Sequence, residues 1–186
     1  MIQVEGIFSG GSAISAPIIG EDFNWSGGDG TYQVLDDGGG NWRIKFLSSG
    51  TFTPLKNMVI DVFLVGGGGG AGSSYCGAGG AGYTTTVRSV VVAANTAYPI
   101  VVGAAGTQTY TVQSDGGTSS AFSAVANGGH HSVSGDKTWK KTGANGGSGG
   151  GGQYADGGTD GSDGATGDTA GGKGQGTTTR EFGEAD

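Results

Sequence analysis

The chain is short of most things that hold a folded protein together. Of 186 residues one is cysteine (Cys76), three are proline and nine are basic, and only 34% are hydrophobic. A lone cysteine excludes an internal disulfide framework. No run of 18 or more apolar residues exists, so no helix of this sequence crosses a membrane. The opening Met1-Ile2-Gln3-Val4-Glu5-Gly6 has neither a positive n-region nor an apolar h-region, and no standard secretory leader is expected. Nine basic against sixteen acidic residues leave a charge of −7, and residues 142–186 hold seven acids against Lys173 and Arg180. That balance argues against nucleic acid and anionic bilayers as partners. The length predicts one domain, with an appendage at most and a small core.

Glycine is what the chain has in excess: 45 residues, about three times ordinary usage. Its placement is uneven, with eleven in residues 1–65, ten in 66–82, seven in 83–142 and seventeen in 143–186. Between the tracts the residues alternate or cluster as strands do. Asn41-Trp42-Arg43-Ile44-Lys45-Phe46-Leu47 has the period of a half-buried strand, and Met58 to Val65 is a β-branched apolar run suited to a central one. Thr84–Val92, Tyr98–Val102 and Thr109–Val112 are further short strands, and Ser120-Ala121-Phe122 adds another. No segment has a helical period. Strands at this spacing predict an all-β fold, an antiparallel β-sandwich.

From residue 143 every third position reads Gly143, Gly146, Gly149, Gly152, Ala155, Gly158, Gly161, Gly164, Gly167. Three residues is the repeat of the polyproline II helix, and a bare face on such a helix lets a neighbouring backbone approach. Collagen uses this period but needs proline, and residues 143–176 have none. The ordered alternative is a bundle of polyglycine II helices whose N–H and C=O groups pair with neighbouring helices. In that reading Gly143, Gly146, Gly149, Gly152, Gly158, Gly161, Gly164 and Gly167 pack the bundle, and residues 66–72 and 77–82 supply two more helices. A solvated linker is the disordered alternative.

Four chemical motifs fail on context. Gly67 to Gly72 after a strand satisfies G-x-G-x-x-G, yet more glycine and a strand follow where a dinucleotide site needs a helix. Residues 157–164 have the Asp/Gly texture of calcium-binding repeats without their periodic apolar residue. His130-His131 has no carboxylate or thiol at ligand spacing beside it, and adjacent side chains on an extended chain diverge, which places the pair at a surface turn with no metal. Cys76 has no nucleophile signature, and no serine-hydrolase or paired-carboxylate pattern is present. The sequence predicts no enzyme, no cofactor and no metal. Large side chains interrupt the glycine texture at Tyr75, Cys76, His130, His131, Trp139 and Tyr154. Amphipathic side chains on a rigid scaffold are the usual material of recognition surfaces. The blander reading is that Trp139 and Tyr154 cap the bundle or join the β-core.

Residues 42–54, the strand Ile60–Val65 running into Gly66 to Gly70, and Gly176-Thr177-Thr178-Thr179-Arg180-Glu181-Phe182-Gly183-Glu184 resemble the glycine-rich domain of bacteriophage tail fibre and tail-tip proteins. The resemblance covers residues 30–184 and is more specific in the strands than in the glycine tracts. It implies a β-sandwich carrying a polyglycine II bundle, as in phage adhesins and a glycine-rich extracellular domain of some receptor tyrosine kinases. Such domains often continue after the Thr-Thr-Arg-Glu-Phe segment into a closing strand, and here the N-terminal strand or another subunit would take that place. The expected organisation is residues 1–40 as N-terminal strands and attachment segment, 41–142 as the sandwich with a glycine insertion at 66–82, 143–176 as the bundle segment, and 177–186 as a return. The resemblance implies a virion tail protein, made in the host cytoplasm, that presents loops to a bacterial surface receptor, polysaccharide or protein. Its partners would include other tail proteins, with assembly as a homotrimer. Two other readings are a structural fibre or decoration protein that acts as a rigid spacer, and an ice-binding glycine bundle. The latter is disfavoured because threonine sits in strands rather than at a regular bundle position.

Overall fold

The computed structural model describes residues 2–7, 16–38, 41–72, 76–109, 112–132 and 143–152. Among these residues ten strands run in chain order: β1 (Ile2–Ile7), β2 (Phe23–Trp25), β3 (Tyr32–Gly38), β4 (Asn41–Phe46), β5 (Gly50–Pro54), β6 (Met58–Val65), β7 (Thr84–Val92), β8 (Tyr98–Val101), β9 (Ser119–Ala121) and β10 (Ala124–Ala126). No helix occurs among the described residues. The chain divides into two compact units, one of residues Met1–Leu64, Thr86–Val102 and Ser120–Val125, the other of Val65–Thr85, Gly103–Ser119 and the chain from Ala126 onward.

The first unit is built from two five-stranded sheets, ordered β3-β4-β1-β6-β7 and β10-β9-β8-β5-β2. β1 lies between β4 and β6, antiparallel to both, with Val4 opposite Ile44 on one side and Val62 on the other. The N-terminal strand is therefore central rather than peripheral. In β4 the alternation works as read: Trp42, Ile44 and Phe46 are buried while Asn41 faces solvent. In β6 Met58, Ile60, Val62, Phe63 and Leu64 are buried, as its near-continuous apolar run requires. The sheets meet through rings. Phe46 of β4 lies 4.5 Å from Trp25 of β2 and 5.7 Å from Phe52 of β5, and Phe23 of β2 meets Tyr32 of β3 edge-on at 5.8 Å. Such pairs add about 0.5–1.5 kcal/mol each beyond the area they bury. Trp25 is further fixed by its Nε1–H donating to Thr31 Oγ1 at 2.9 Å, and glycine at position 50 is obligatory, because a Cβ there would sit 2.6 Å from the indole.

The second unit contains extended glycine-rich segments joined by backbone hydrogen bonds. Gly66 and Gly69 donate to the carbonyls of Tyr83 and Gly80, each at 2.9 Å. One residue along, Gly67 and Gly70 donate to Gly117 and Ser114 at 2.9 and 3.0 Å, and their own carbonyls accept from Gly129 and Ser132. Gly80 and Tyr83 donate to His130 and Asn127, and Ala78 and Ala81 to Gly151 and Ser148. The same neighbour is thus met again after three residues, whereas a β-ladder repeats after two. Side chains are excluded where segments touch: a Cβ on Gly66, Gly67, Gly69 or Gly70 would run into the carbonyl of Asn127, Ala104, His130 or Thr107.

Of the strand expected at Thr109–Val112 only the two end residues are described, and neither belongs to a strand. The two bond each other instead: Thr109 N–H donates to the Val112 carbonyl and Val112 N–H to Thr109 Oγ1, both at 2.9 Å. Gln108 and Gln113 share a single bridge. Threonine and glutamine side chains here satisfy the backbone locally and displace the ladder that β-propensity favours.

Candidate functional site

Hydrogen bonding within the glycine-rich unit sets the level of each segment. Gly70 bonds Ser114 and Ser132, Ser114 N–H donates to Thr107 O, and Gly72 N–H donates to Ser132 Oγ at 3.1 Å. Cys76 Sγ lies 2.9 Å from the Gly72 carbonyl. Residues 70–72, 76, 107–109, 112–115 and 130–132 therefore gather at one end of the unit, and Gly66, Tyr83, Gly117 and Asn127 at the other. Cys76 and the His130–His131 pair, expected to be exposed interruptions, belong to the first group. Tyr75, Trp139 and Tyr154 lie outside the described residues.

The histidine pair is arranged differently from its sequence reading. His130 is not in a turn: its N–H donates to Asn145 O and its carbonyl accepts from Gly80, both at 2.9 Å. Nor do the two rings diverge from any carboxylate. His130 Nδ1 is 3.0 Å from Asp115 Oδ2, and His131 Nδ1 is 2.5 Å from Asp115 Oδ1, which also accepts the His131 backbone N–H at 2.9 Å. Asp115 comes from a separate segment, fifteen residues upstream of His130. The backbone N–H of His131, then its ring, hold the Asp115 carboxyl down at about 2. A carboxylate can only accept, so each ring donates to Asp115 through Nδ1–H and turns its Nε2 away from the carboxylate. Both rings are well exposed, at 56% and 38%. The cluster is a fixed polar platform of one anion and two oriented imidazoles. No group of three or more ligating side chains converges to hold a metal ion among the described residues.

Of the glycines placed every third residue from 143, Gly146 meets the Ala81 carbonyl with no space for a Cβ. Gly147 and Gly150, which stand outside that series, are as tightly confined, against Gly82 and Ala78. The chain reverses here, with Gly150 N–H donating to Ala144 O at 2.8 Å, and the bend shifts the contact register. Gly143, Gly149 and Gly152 are half-buried. Gly158, Gly161, Gly164 and Gly167 lie outside the described residues.

Sequence reasoning missed Asp115 because it neighbours the histidines only through backbone pairing of distant segments. No curated protein and no solved structure matches the chain. A family model described as a glycine-rich domain matches residues 47–185, about three quarters of the length, and the chain belongs to that glycine-rich domain family.

Proposed function

We propose that this protein is a non-enzymatic fibre or tip component of a bacteriophage tail, in which a rigid bundle of polyglycine II helices presents loops to the bacterial host surface. The observation that carries this reading is the three-residue recurrence of hydrogen-bond partners in the glycine-rich unit, seen from Gly66 and Gly69 to Tyr83 and Gly80 and again in the neighbouring pairs. A helix with three residues per turn and no internal hydrogen bonds turns successive N–H groups toward successive neighbours, and it packs this way only where side chains are absent. The excluded Cβ positions at Gly66, Gly67, Gly69 and Gly70 support it. A scaffold pinned on every side by backbone bonds loses little entropy when its end binds a surface. The His130–Asp115–His131 platform at that end offers hydrogen-bonding groups to a hydroxyl-rich or amide-rich receptor. The phage assignment itself rests on the resemblance of residues 42–54 and 60–70 to tail-fibre domains.

Adsorption of the assembled particle to host cells tests the reading. Joint replacement of Tyr75, Trp139 and Tyr154 by alanine, and separately of His130 and His131, is expected to reduce adsorption at least about tenfold while assembly is unchanged. Unchanged adsorption in both variants would overturn the receptor role and leave the rigid-spacer reading, which the same hydrogen-bond pattern also supports.

A further inference from the structure

The first unit carries a groove of about 390 Å³ where both sheets come to an edge, lined by the end of β7, the start of β8 and the β9–β10 hairpin. Two features distinguish it from an ordinary surface hollow. None of its ten lining residues is charged, in a chain of net charge −7. Its lip is formed by two consecutive non-glycine residues in the left-handed region, Phe122 at φ 49° and Ser123 at φ 66°. A two-residue hairpin of this shape is ordinarily filled by Asn-Gly, and a phenylalanine there is strained. The ring is held by contacts to Tyr98 at 5.2 Å and to the buried Phe52 at 6.1 Å. Tyr98 is held in turn, its hydroxyl accepting the Ala93 N–H at 2.9 Å. The strained turn therefore delivers a pre-positioned pair of aromatic rings to an uncharged groove, and strain of this kind clusters at ligand sites.

We infer that this groove binds a neutral pyranose sugar. An ionic ligand would lose hydration without meeting an opposite charge. An added peptide strand finds little to pair with: β10 has three residues, and the edge of β7 is broken at Ser89, which has φ 57° and gives its N–H to Asp61 Oδ1 at 2.7 Å. A pyranose has an apolar C–H face for Tyr98 and Phe122 and equatorial hydroxyls for Ser120 and Ser123, which also line the groove. Exposed Val91 and Val125 extend its apolar rim. This inference stands on the first unit alone and is independent of how the glycine-rich unit is read.

Titration of the full chain with glucose, galactose and N-acetylglucosamine, followed by NMR chemical shifts, is the test. At least one should saturate with Kd on the order of 1 mM, the scale of a small ligand in a shallow site, and shift resonances of Tyr98, Phe122 and Val125. Glucuronic acid should bind at least about tenfold more weakly than glucose. Phe122→Asn keeps a residue tolerant of the left-handed turn, so the variant should melt within a few degrees of the parent while sugar affinity falls at least about tenfold. Val125→Asp, at an exposed position, should weaken binding as well. The proposal is overturned if no neutral sugar saturates, if both variants bind as the parent does, or if an uncharged Val/Thr-rich peptide rather than sugar perturbs these residues.

Discussion

Asp115 and His131 are joined twice through one oxygen: Oδ1 accepts the His131 backbone N–H at 2.9 Å and its ring Nδ1 at 2.5 Å, which locks two segments far apart in sequence into one register. The carboxyl titrates at about 2 in the folded chain against 3.8 for a free side chain. A depressed acid contributes stability that is complete above the unfolded value and disappears as pH falls through the folded one. The wild-type chain should therefore be more stable than Asp115→Asn near pH 7, and the gap should close between about pH 4 and pH 2. Urea midpoints of both proteins across that range check it. A gap that persists at pH 2 would mean that the carboxylate charge is not the source.

Gly67, Gly68 and Gly69 are chemically identical and structurally unlike. A Cβ on Gly67 would strike the Ala104 carbonyl and one on Gly69 that of His130, whereas at Gly68 the nearest atom, Gly80 O, is 3.8 Å away. Backbone cannot yield as a flexible side chain does, so Gly67→Ala and Gly69→Ala should each cost about 3 kcal/mol or more. Gly68→Ala should lie within about 0.5 kcal/mol of wild type, or be slightly stabilising through its less flexible unfolded chain. Denaturant unfolding of the three variants separates a lattice of backbone contacts from a flexible tract, in which all three would behave alike.

Ser119 has no exposed surface, and its hydroxyl serves two backbone groups, donating to Val65 O at 2.7 Å and accepting from Gly103 N–H at 2.9 Å. Alanine would leave both without that partner. A loss of about 1–3 kcal/mol is expected, accompanied by faster amide exchange at Gly103. Exchange at Gly103 unaltered in Ser119→Ala would show that the amide is protected by something other than the hydroxyl.

The strands whose burial follows a local rule were legible in the sequence. Trp42, Ile44 and Phe46 announce β4, and the run from Met58 to Val65 announces β6. β1 was less so, because Gln3, Glu5 and Gly6 dilute its apolar pattern while its position between β4 and β6 is set by pairing partners some forty to sixty residues away. The three-residue glycine spacing was visible, yet which glycines touch depends on partner segments: Gly147 and Gly150 are confined because the chain bends after Ala144. The Asp115–histidine cluster was invisible for the same reason. A carboxylate fifteen residues away has no sequence signature until backbone hydrogen bonds bring the segments side by side.

Phe46 and Leu47 are neighbours with opposite fates. Phe46 is fully buried, with its ring 4.5 Å from Trp25 and 5.7 Å from Phe52, and it ties the two sheets of the first unit together. Leu47 follows the end of β4 and is 46% exposed. Truncating Phe46 removes an aromatic side chain from between rings that are themselves fixed, Trp25 by its bond to Thr31 and by the close approach of Gly50. The site cannot collapse to fill the space, so Phe46→Ala should cost about 3–5 kcal/mol, while Leu47→Ala should cost less than about 1 kcal/mol. Urea unfolding followed by tryptophan emission reads both effects, since the indole of Trp25 loses its partner in one variant only. Equal losses in the two would mean that the contact between the sheets is not where the first unit's stability lies.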